Sequence, residues 1–373
     1  MKPLSPSTQA LLHAVLTPET NPSAIARWLA ATDIERLEAG QFQLLPLLYQ
    51  QLHGRADGHP WLPRLKGIYR RAWVANQLAL KAAHAALEVL AAARLPALLI
   101  GPAALSLTVY ADPATRPIGA ALVLTPAAAR QAAIQALTAA GWQPSPGTDN
   151  LAAPRFERWQ AGHLFVKPHS ATEPLQVRLC WHGLAQAPSP AWSAQWFDRA
   201  APLANPSIQA STLDPTDQLL HSLAASPALE LIPLVDGQRL ITQHPIDWLR
   251  FVRLAAASRL TFMLGERLAL IQGLSGLHLP DRLLTELQQT DSPGYAATAW
   301  RLDQINPWER SPWQRWRLSY ALFRQQAAAQ GVVPHPGNFY DYLRAQWSTD
   351  SLAATLSRGL GRIATPPPLP HGY

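Results

Sequence analysis

The chain has 373 residues, 48% of them hydrophobic and 15% charged, enough to bury a sizeable core as one large domain or two ordinary ones, which excludes a globally disordered protein. Its 35 prolines outnumber its 20 glycines, which argues against long uninterrupted sheets. Lys and Arg total 31 against 24 Asp and Glu, a balance of +7 with a pI near 9.8 that favours anionic partners without choosing among nucleotides, nucleic acid and acidic lipid. One cysteine, Cys180, excludes an intramolecular disulfide and points to a reducing cytoplasm. No stretch approaches about 18 consecutive apolar residues, so no membrane span is expected.

In chain order, the opening MKPLSPSTQALLHAVL lacks the compact apolar run and cleavage site of a signal peptide and reads as an ordinary helix. Ser5-Pro6, Asn21-Pro22 and Gly40 punctuate short helices, a helical cap over residues 1–60. Leu62, Leu65, Tyr69, Ala72, Asn76, Leu80, Ala83, Leu87 and Leu90 recur at intervals of three and four, which predicts a long helix over 61–95 with one stripe against a sheet. Residues 96–101 and 119–125 read as buried strands, with a helix at 103–110 between them and another at 127–141, capped by Thr125-Pro126 and closed by Gly141. Three more strand-like stretches follow at 155–160, 163–168 and 175–181, and the pattern then stays helical. The closing TPPPLPHGY reads as an unpacked polyproline tail. The expected fold class is α+β: a small mixed sheet in a core over 61–212, after the cap, with a helical region over 213–364 and the tail at 365–373.

Residues 98–125, LLIGPAALSLTVYADPATRPIGAALVLT, carry a resemblance. Tyr110, Asp112, Pro113, Arg116, Pro117, Ile118 and Gly119 keep almost intact a loop that resembles the signature of the bacterial uncharacterised nucleotidyltransferases, a branch of the polymerase-β-like superfamily. The family's loop has the form Asp-Pro-x-x-Arg-Pro-Met-Gly. With Asn76 upstream and the DQLLHSL and IDWLRF segments downstream, the resemblance spans roughly 40–345, although only the loop is specific. It implies a sheet of the nucleotidyltransferase type and metal-dependent transfer. The residues at the implied catalytic positions do not fit that chemistry. The family's Asp-x-Asp falls on Ala120 and Leu122, its strand-end Lys on Gly101 and the following Gly on Pro102; the acid before a His-Trp pair falls on Arg178, with Cys180 at the His and Trp181 retained.

Nucleotidyl transfer uses metal ions to bridge the triphosphate and activate the incoming hydroxyl, and Mg²⁺ prefers carboxylate oxygens. Alanine, leucine and arginine offer none, and a guanidinium about 4 Å from a divalent ion repels it by several kcal/mol even at an effective dielectric near 20. Gly101-Pro102 also lacks the lysine charge, and Pro102 the backbone N–H, that could cradle phosphate. Of the other acids, Asp112 fits turn chemistry with Pro113, Asp217 and Asp247 fit helix starts, and Asp198 and Asp236 lie in later segments without a metal-binding pattern.

Two further constellations have simpler explanations. His163, His169, His182 and Cys180 lie close in sequence but match no compact zinc spacing, and Cys180 between Leu179 and Trp181 reads as a buried, inert thiol. Residues 308–326 interleave Arg310, Arg315, Arg317 and Arg324 with Trp308, Trp313 and Trp316, a composition suited to stacking and phosphate contact. The spacing of Trp313, Trp316 and Tyr320 nevertheless predicts a core face, with Arg315 and Arg324 solvated.

The expected function is therefore a degenerate nucleotidyltransferase-like pseudoenzyme, a binding or scaffolding subunit in a bacterial biosynthetic pathway, with no catalytic residue, metal or cofactor. Its candidate binding residues are Arg116, Gly119, Tyr110, Arg315 and Arg324. Expected partners are a protein or peptide, then residual nucleotide, with nucleic acid behind them. The alternatives are an active nucleotidyltransferase with a non-standard site acting on a small molecule, peptide or protein, and a basic nucleic-acid-binding or toxin–antitoxin-type module.

Overall fold

The computed structural model describes residues 4–16, 22–32, 37–38, 40–53, 60–145, 158–169, 173–188, 190–203, 208–225, 230–290, 293–307, 309–347, 349, 353–355 and 357. The expected α+β architecture is present. A seven-stranded mixed sheet runs in the order β3-β4-β5-β2-β1-β7-β6, from β1 (Leu98–Ile100), β2 (Ala121–Leu124), β3 (Gln143–Pro144), β4 (Gly162–Lys167), β5 (Leu175–Cys180), β6 (Ala201–Pro202) and β7 (Ser211–Thr212). β1 and β2 are antiparallel, whereas β2 and β5 run parallel. Every strand is short, as the proline content predicts.

Alternation along β5 decides what each face meets. Leu175, Val177 and Leu179 turn inward while Gln176 and Arg178 are exposed, the period of two of a strand with one face on a core. On the inward face lies α4 (Leu62–Ala92), the long helix read from the sequence. Ala79, Ala82, Ala83, Ala86 and Leu90 pack with Leu99, Ala121, Val123, Phe165 and Leu179. The small alanine side chains let helix and sheet approach closely. α5 (Gly101–Thr108) follows β1, and α6 (Arg130–Ala139) closes the layer through Ala133 and Leu137.

On the other face, Leu98, Ile100, Leu124 and Cys180 join a second core shared by N-terminal and C-terminal helices. The cap contributes α1 (Pro6–Leu16), α2 (Pro22–Ala31) and α3 (Leu45–Leu52), and α7 (Pro190–Asp198) precedes β6. The C-terminal region contributes α8 (Pro215–Ala225), α9 (Ile232–Gln243), α10 (Trp248–Ala257), α11 (Thr261–Ser275) and α12 (Leu283–Gln289). Leu11, Leu12, Leu47 and Leu48 thereby share one apolar cluster with Leu219, Leu223, Leu264 and Leu268. Beyond it, α13 (Gly294–Asp303), α14 (Pro312–Ala329) and α15 (Pro336–Trp347) form an outer group. That group is anchored by Trp159, whose ring lies 5.5 Å from Phe323 and 5.9 Å from Tyr342.

Several expectations need correction. Residues 158–160 lead into β4 as a turn rather than a strand, and 155–157 lie outside the described residues, as do Trp308 and the proline-rich tail. Thr125 does not cap the following helix, because its hydroxyl donates to the Pro96 carbonyl at 3.1 Å and ties β2 to the segment before β1. Asp214, not Asp217, caps α8: its Oδ1 accepts from the backbone of Thr216 and Asp217. Asp247 does cap α10, accepting from Arg250 N at 3.0 Å.

The largest correction concerns α14. Trp313 is 70% and Tyr320 45% exposed, Trp316 is only partly buried, and Arg315 and Arg324 are half-buried rather than solvated. The helix lies between α13 and α15 and buries Leu318, Ala321, Phe323, Gln325 and Ala327. With neighbours on both sides, these residues take the buried arc, and the sector carrying Trp313 and Tyr320 is left as a ridge.

Candidate functional site

The parallel register of β2 and β5 places Leu122 directly beside Arg178. These are two of the positions where the resemblance implies metal-binding acids, and Ala120 lies just before β2. Leu122 is partly buried and Arg178 exposed, so the sheet here presents an isobutyl group and a guanidinium. Gly101, where the resemblance implies a lysine, begins α5 with φ +64. A Cβ there would meet Leu122 Cδ1 at 2.9 Å and His221 Cε1 at 3.1 Å. The backbone therefore suits glycine, and Leu122 and His221 fill the space of a side chain. This donor set does not fit Mg²⁺, which requires hard oxygen ligands.

The retained loop is held from two sides. From α4, Asn76 Nδ2 donates to the carbonyls of Pro113 and Arg116 at 2.7 and 2.9 Å, and its Oδ1 accepts from Ile118 N at 3.0 Å. Tyr69 donates to Asp112 Oδ2 at 2.6 Å, while Oδ1 of the same carboxylate accepts from Ala114 N at 2.9 Å. That bond to Asp112, with burial, pushes the Tyr69 hydroxyl up to about 12. Asp112 thus performs the turn chemistry its neighbour Pro113 suggested.

From the C-terminal region comes Asp236, on α9 and 0% exposed. Arg116 grips it in a two-point fork, Nε to Oδ1 at 3.0 Å and Nη2 to Oδ2 at 2.8 Å. Tyr110 donates to Oδ1 at 2.7 Å and Ser222 to Oδ2 at 3.2 Å. Four hydrogen bonds satisfy a fully desolvated carboxylate. Burial and the Asp236 charge raise Tyr110 well above its ordinary value, so it stays a donor. Arg239 completes the packing with its guanidinium carbon 4.4 Å from the centre of the Tyr110 ring. Tyr110 and Arg116 are therefore occupied with joining the loop to the helical region. Gly119, exposed at the end of the loop, borders open space.

That space is a groove of about 810 Å³, lined by Phe42 and Pro46 of the cap, Arg71 and Val74 of α4, and Gly119 and Gln176 at the edge of the sheet. It also touches Ala120 and so adjoins the position of the first implied acid.

Residues 38–276 match the family described as uncharacterised nucleotidyltransferase, well over half of the chain. The chain belongs to that family. No curated protein and no solved structure matches it significantly. The matched span begins in the cap and ends just past α11, so the family unit contains both the sheet and the helix that supplies Asp236, and α13 to α15 lie outside it.

Asp214 and Asp217, at the start of α8, are paired with arginine. Asp217 meets Arg199 at 2.9 Å, and Asp214 meets Arg250, beside a recess of about 620 Å³ that Arg199, Asp214 and Arg250 line. Burial and the neighbouring Asp214 charge raise Asp217 to about 6, opposed by Arg199. Among the described residues no group of three or more His, Cys, Asp or Glu is placed to hold a metal ion. His169 contacts Lys81 at 3.3 Å, whereas His163 pairs across the sheet with Leu179 and stacks edge-on to Phe165. Cys180 is buried and pushed up to about 11 by desolvation. The groups considered for zinc therefore do not converge.

Sequence reasoning finds the loop, the positions of Leu122 and Arg178, and a role for Arg116 in clamping loop carbonyls or a carboxylate of the C-terminal helices, but not that Asp236 is that carboxylate, nor Ser222, His221 or Tyr69. Asp236 lies mid-helix in LIPLVDGQRL, and only its acidic character on an otherwise buried face could have marked it.

Proposed function

We propose that this nucleotidyltransferase-like protein has given up metal-dependent transfer and serves as a binding or scaffolding subunit. The observation that carries the reading is the adjacent pair Leu122 and Arg178, with Gly101 closed off by Leu122 and His221. Ala120, Leu122 and Arg178 take the places of the metal-binding acids, and a guanidinium there opposes a divalent cation. The loop meanwhile persists because it joins α4 to α9 through Asn76 and Arg116, a stability role that survives loss of catalysis. The groove beside Gly119 is the natural place for a ligand or a partner segment. Its mixed lining, Phe42, Val74 and Pro46 with Arg71, Glu173 and Gln176, suits a peptide or small molecule with apolar and polar parts. A cytoplasmic setting and a biosynthetic pathway remain part of this proposal.

The test is calorimetric titration of ATP and GTP in Mg²⁺ and in EDTA. The reading predicts affinities that agree within a few fold. A metal-dependent gain of tenfold, about 1.4 kcal/mol, would contradict it.

A further inference from the structure

α14 spans Pro312–Ala329 and contains no Asp or Glu, but it carries Arg315, Arg317 and Arg324. At 100° per residue, Trp313, Arg317, Tyr320 and Arg324 fall within a sector of roughly 60°, alternating ring, cation, ring, cation along one line. Trp313 is 70% and Tyr320 45% exposed, and Arg317 is exposed as well. Arg324 is laid across aromatic faces, its guanidinium carbon 5.3 Å from the Tyr295 ring centre and 6.0 Å from that of Tyr320. The ridge is held in shape. Ser311 and Gln314 form a reciprocal capping box at the start of the helix, and Trp316 packs at 5.8 Å from Phe339 and 6.4 Å from Trp347. By contrast, Trp28, Trp142, Trp159, Trp181 and Trp196 are fully buried, and Trp73 on α4, at 49%, is less exposed than Trp313.

We propose that this ridge binds single-stranded nucleic acid, the rings stacking on bases and the arginines pairing with phosphates. The inference is independent of the proposed loss of transfer, since α14 lies outside the family match. The two rings lie about 10 Å apart along the helix axis with Arg317 between them at about 6 Å from Trp313, so each base platform has a cation beside it. Stacking platforms joined to a positive track are how single strands are held without base-specific readout. The charge favours a polyanion over a protein surface, because the helix carries three arginines without an Asp or Glu in a chain of net +7. A paired duplex hides the faces of its bases from such rings.

Fluorescence anisotropy of a labelled oligothymidylate with the full chain tests the proposal. The expected result is saturable binding with quenching of indole emission. Two phosphate contacts predict a roughly sevenfold loss of affinity between about 50 and 200 mM salt. Trp313→Ala should weaken binding roughly fivefold or more, and Arg317→Glu should weaken it and flatten the salt dependence, both with unchanged circular dichroism and melting, while Trp313→Phe should retain most affinity. The proposal is overturned by no binding at low salt, by variants that bind as the parent does, or by tighter binding to a duplex, a polyglutamate peptide or a proline-rich peptide than to the single strand.

Discussion

Replacing Arg116 by alanine removes both guanidinium bonds to Asp236 and leaves a carboxylate with 0% exposure facing only the hydroxyls of Tyr110 and Ser222. Breaking a buried ion pair from one side costs about 3–5 kcal/mol, more than the loss of an ordinary hydrogen bond, because the charge left behind has no water to turn to. Asp236→Ala should cost a similar amount by stranding the guanidinium. Arg116→Met with Asp236→Leu removes both charges and leaves two buried hydroxyls at about 1–3 kcal/mol each, so the double variant should lose less than the sum of the singles. Urea unfolding followed by indole fluorescence and by circular dichroism gives the midpoints and slopes for all three. An Arg116→Ala variant within about 0.5 kcal/mol of the parent, the range of an ordinary surface substitution, would refute a buried ion pair at this position.

Burial lowers His182 and His221 to about 4, with Arg130 adding to the effect at His182 and Asp236 opposing it at His221. Since both folded values lie below the unfolded one near 6.5, the unfolded chain takes up protons first, and stability should fall as pH drops from about 6.5 towards 4. Asp217, raised to about 6, works the other way between about 6 and 4 and offsets part of the loss. The urea midpoint measured against pH should therefore decline below 6.5, and His221→Gln should make the decline shallower; a flat profile would contradict the burial argument. Trp159→Ala should cost about 3–5 kcal/mol by removing the ring between Phe323 and Tyr342, and hydrogen exchange should then rise in α14 and α15 before the sheet. Cys180, buried and raised to about 11, should resist Ellman's reagent in the native protein and react fully in urea; rapid native reaction would show that β5 is more open than described.

How much of this was legible in the sequence follows from the range of the interactions. The α4 stripe, β1, β2, β4 and β5 were readable because periodicity and glycine or proline punctuation are local. The adjacency of Leu122 and Arg178 came from the resemblance, which carries long-range information that spacing alone does not. The two-residue strands β3, β6 and β7 have no periodicity to detect, and they exist because neighbouring strands offer them hydrogen bonds. The Arg116–Asp236 pair joins residues 120 positions apart. The reversal at α14 has the same origin: three aromatic residues at helical spacing mark a stripe, but how far the stripe turns inward depends on α13 and α15, and these flank it, α15 meeting Trp316 and one edge of Tyr320 while α13 meets Leu318 and Ala321.

The proposal that Ala120, Leu122 and Arg178 leave no metal site stands or falls on Mn²⁺ titration followed by electron paramagnetic resonance in the presence of ATP. The protein is expected to add nothing to the Mn²⁺ bound by ATP alone. A saturable, protein-dependent loss of the free Mn²⁺ signal that persists in Asp217→Asn, and so is not due to the arginine-paired acids of α8, would contradict it.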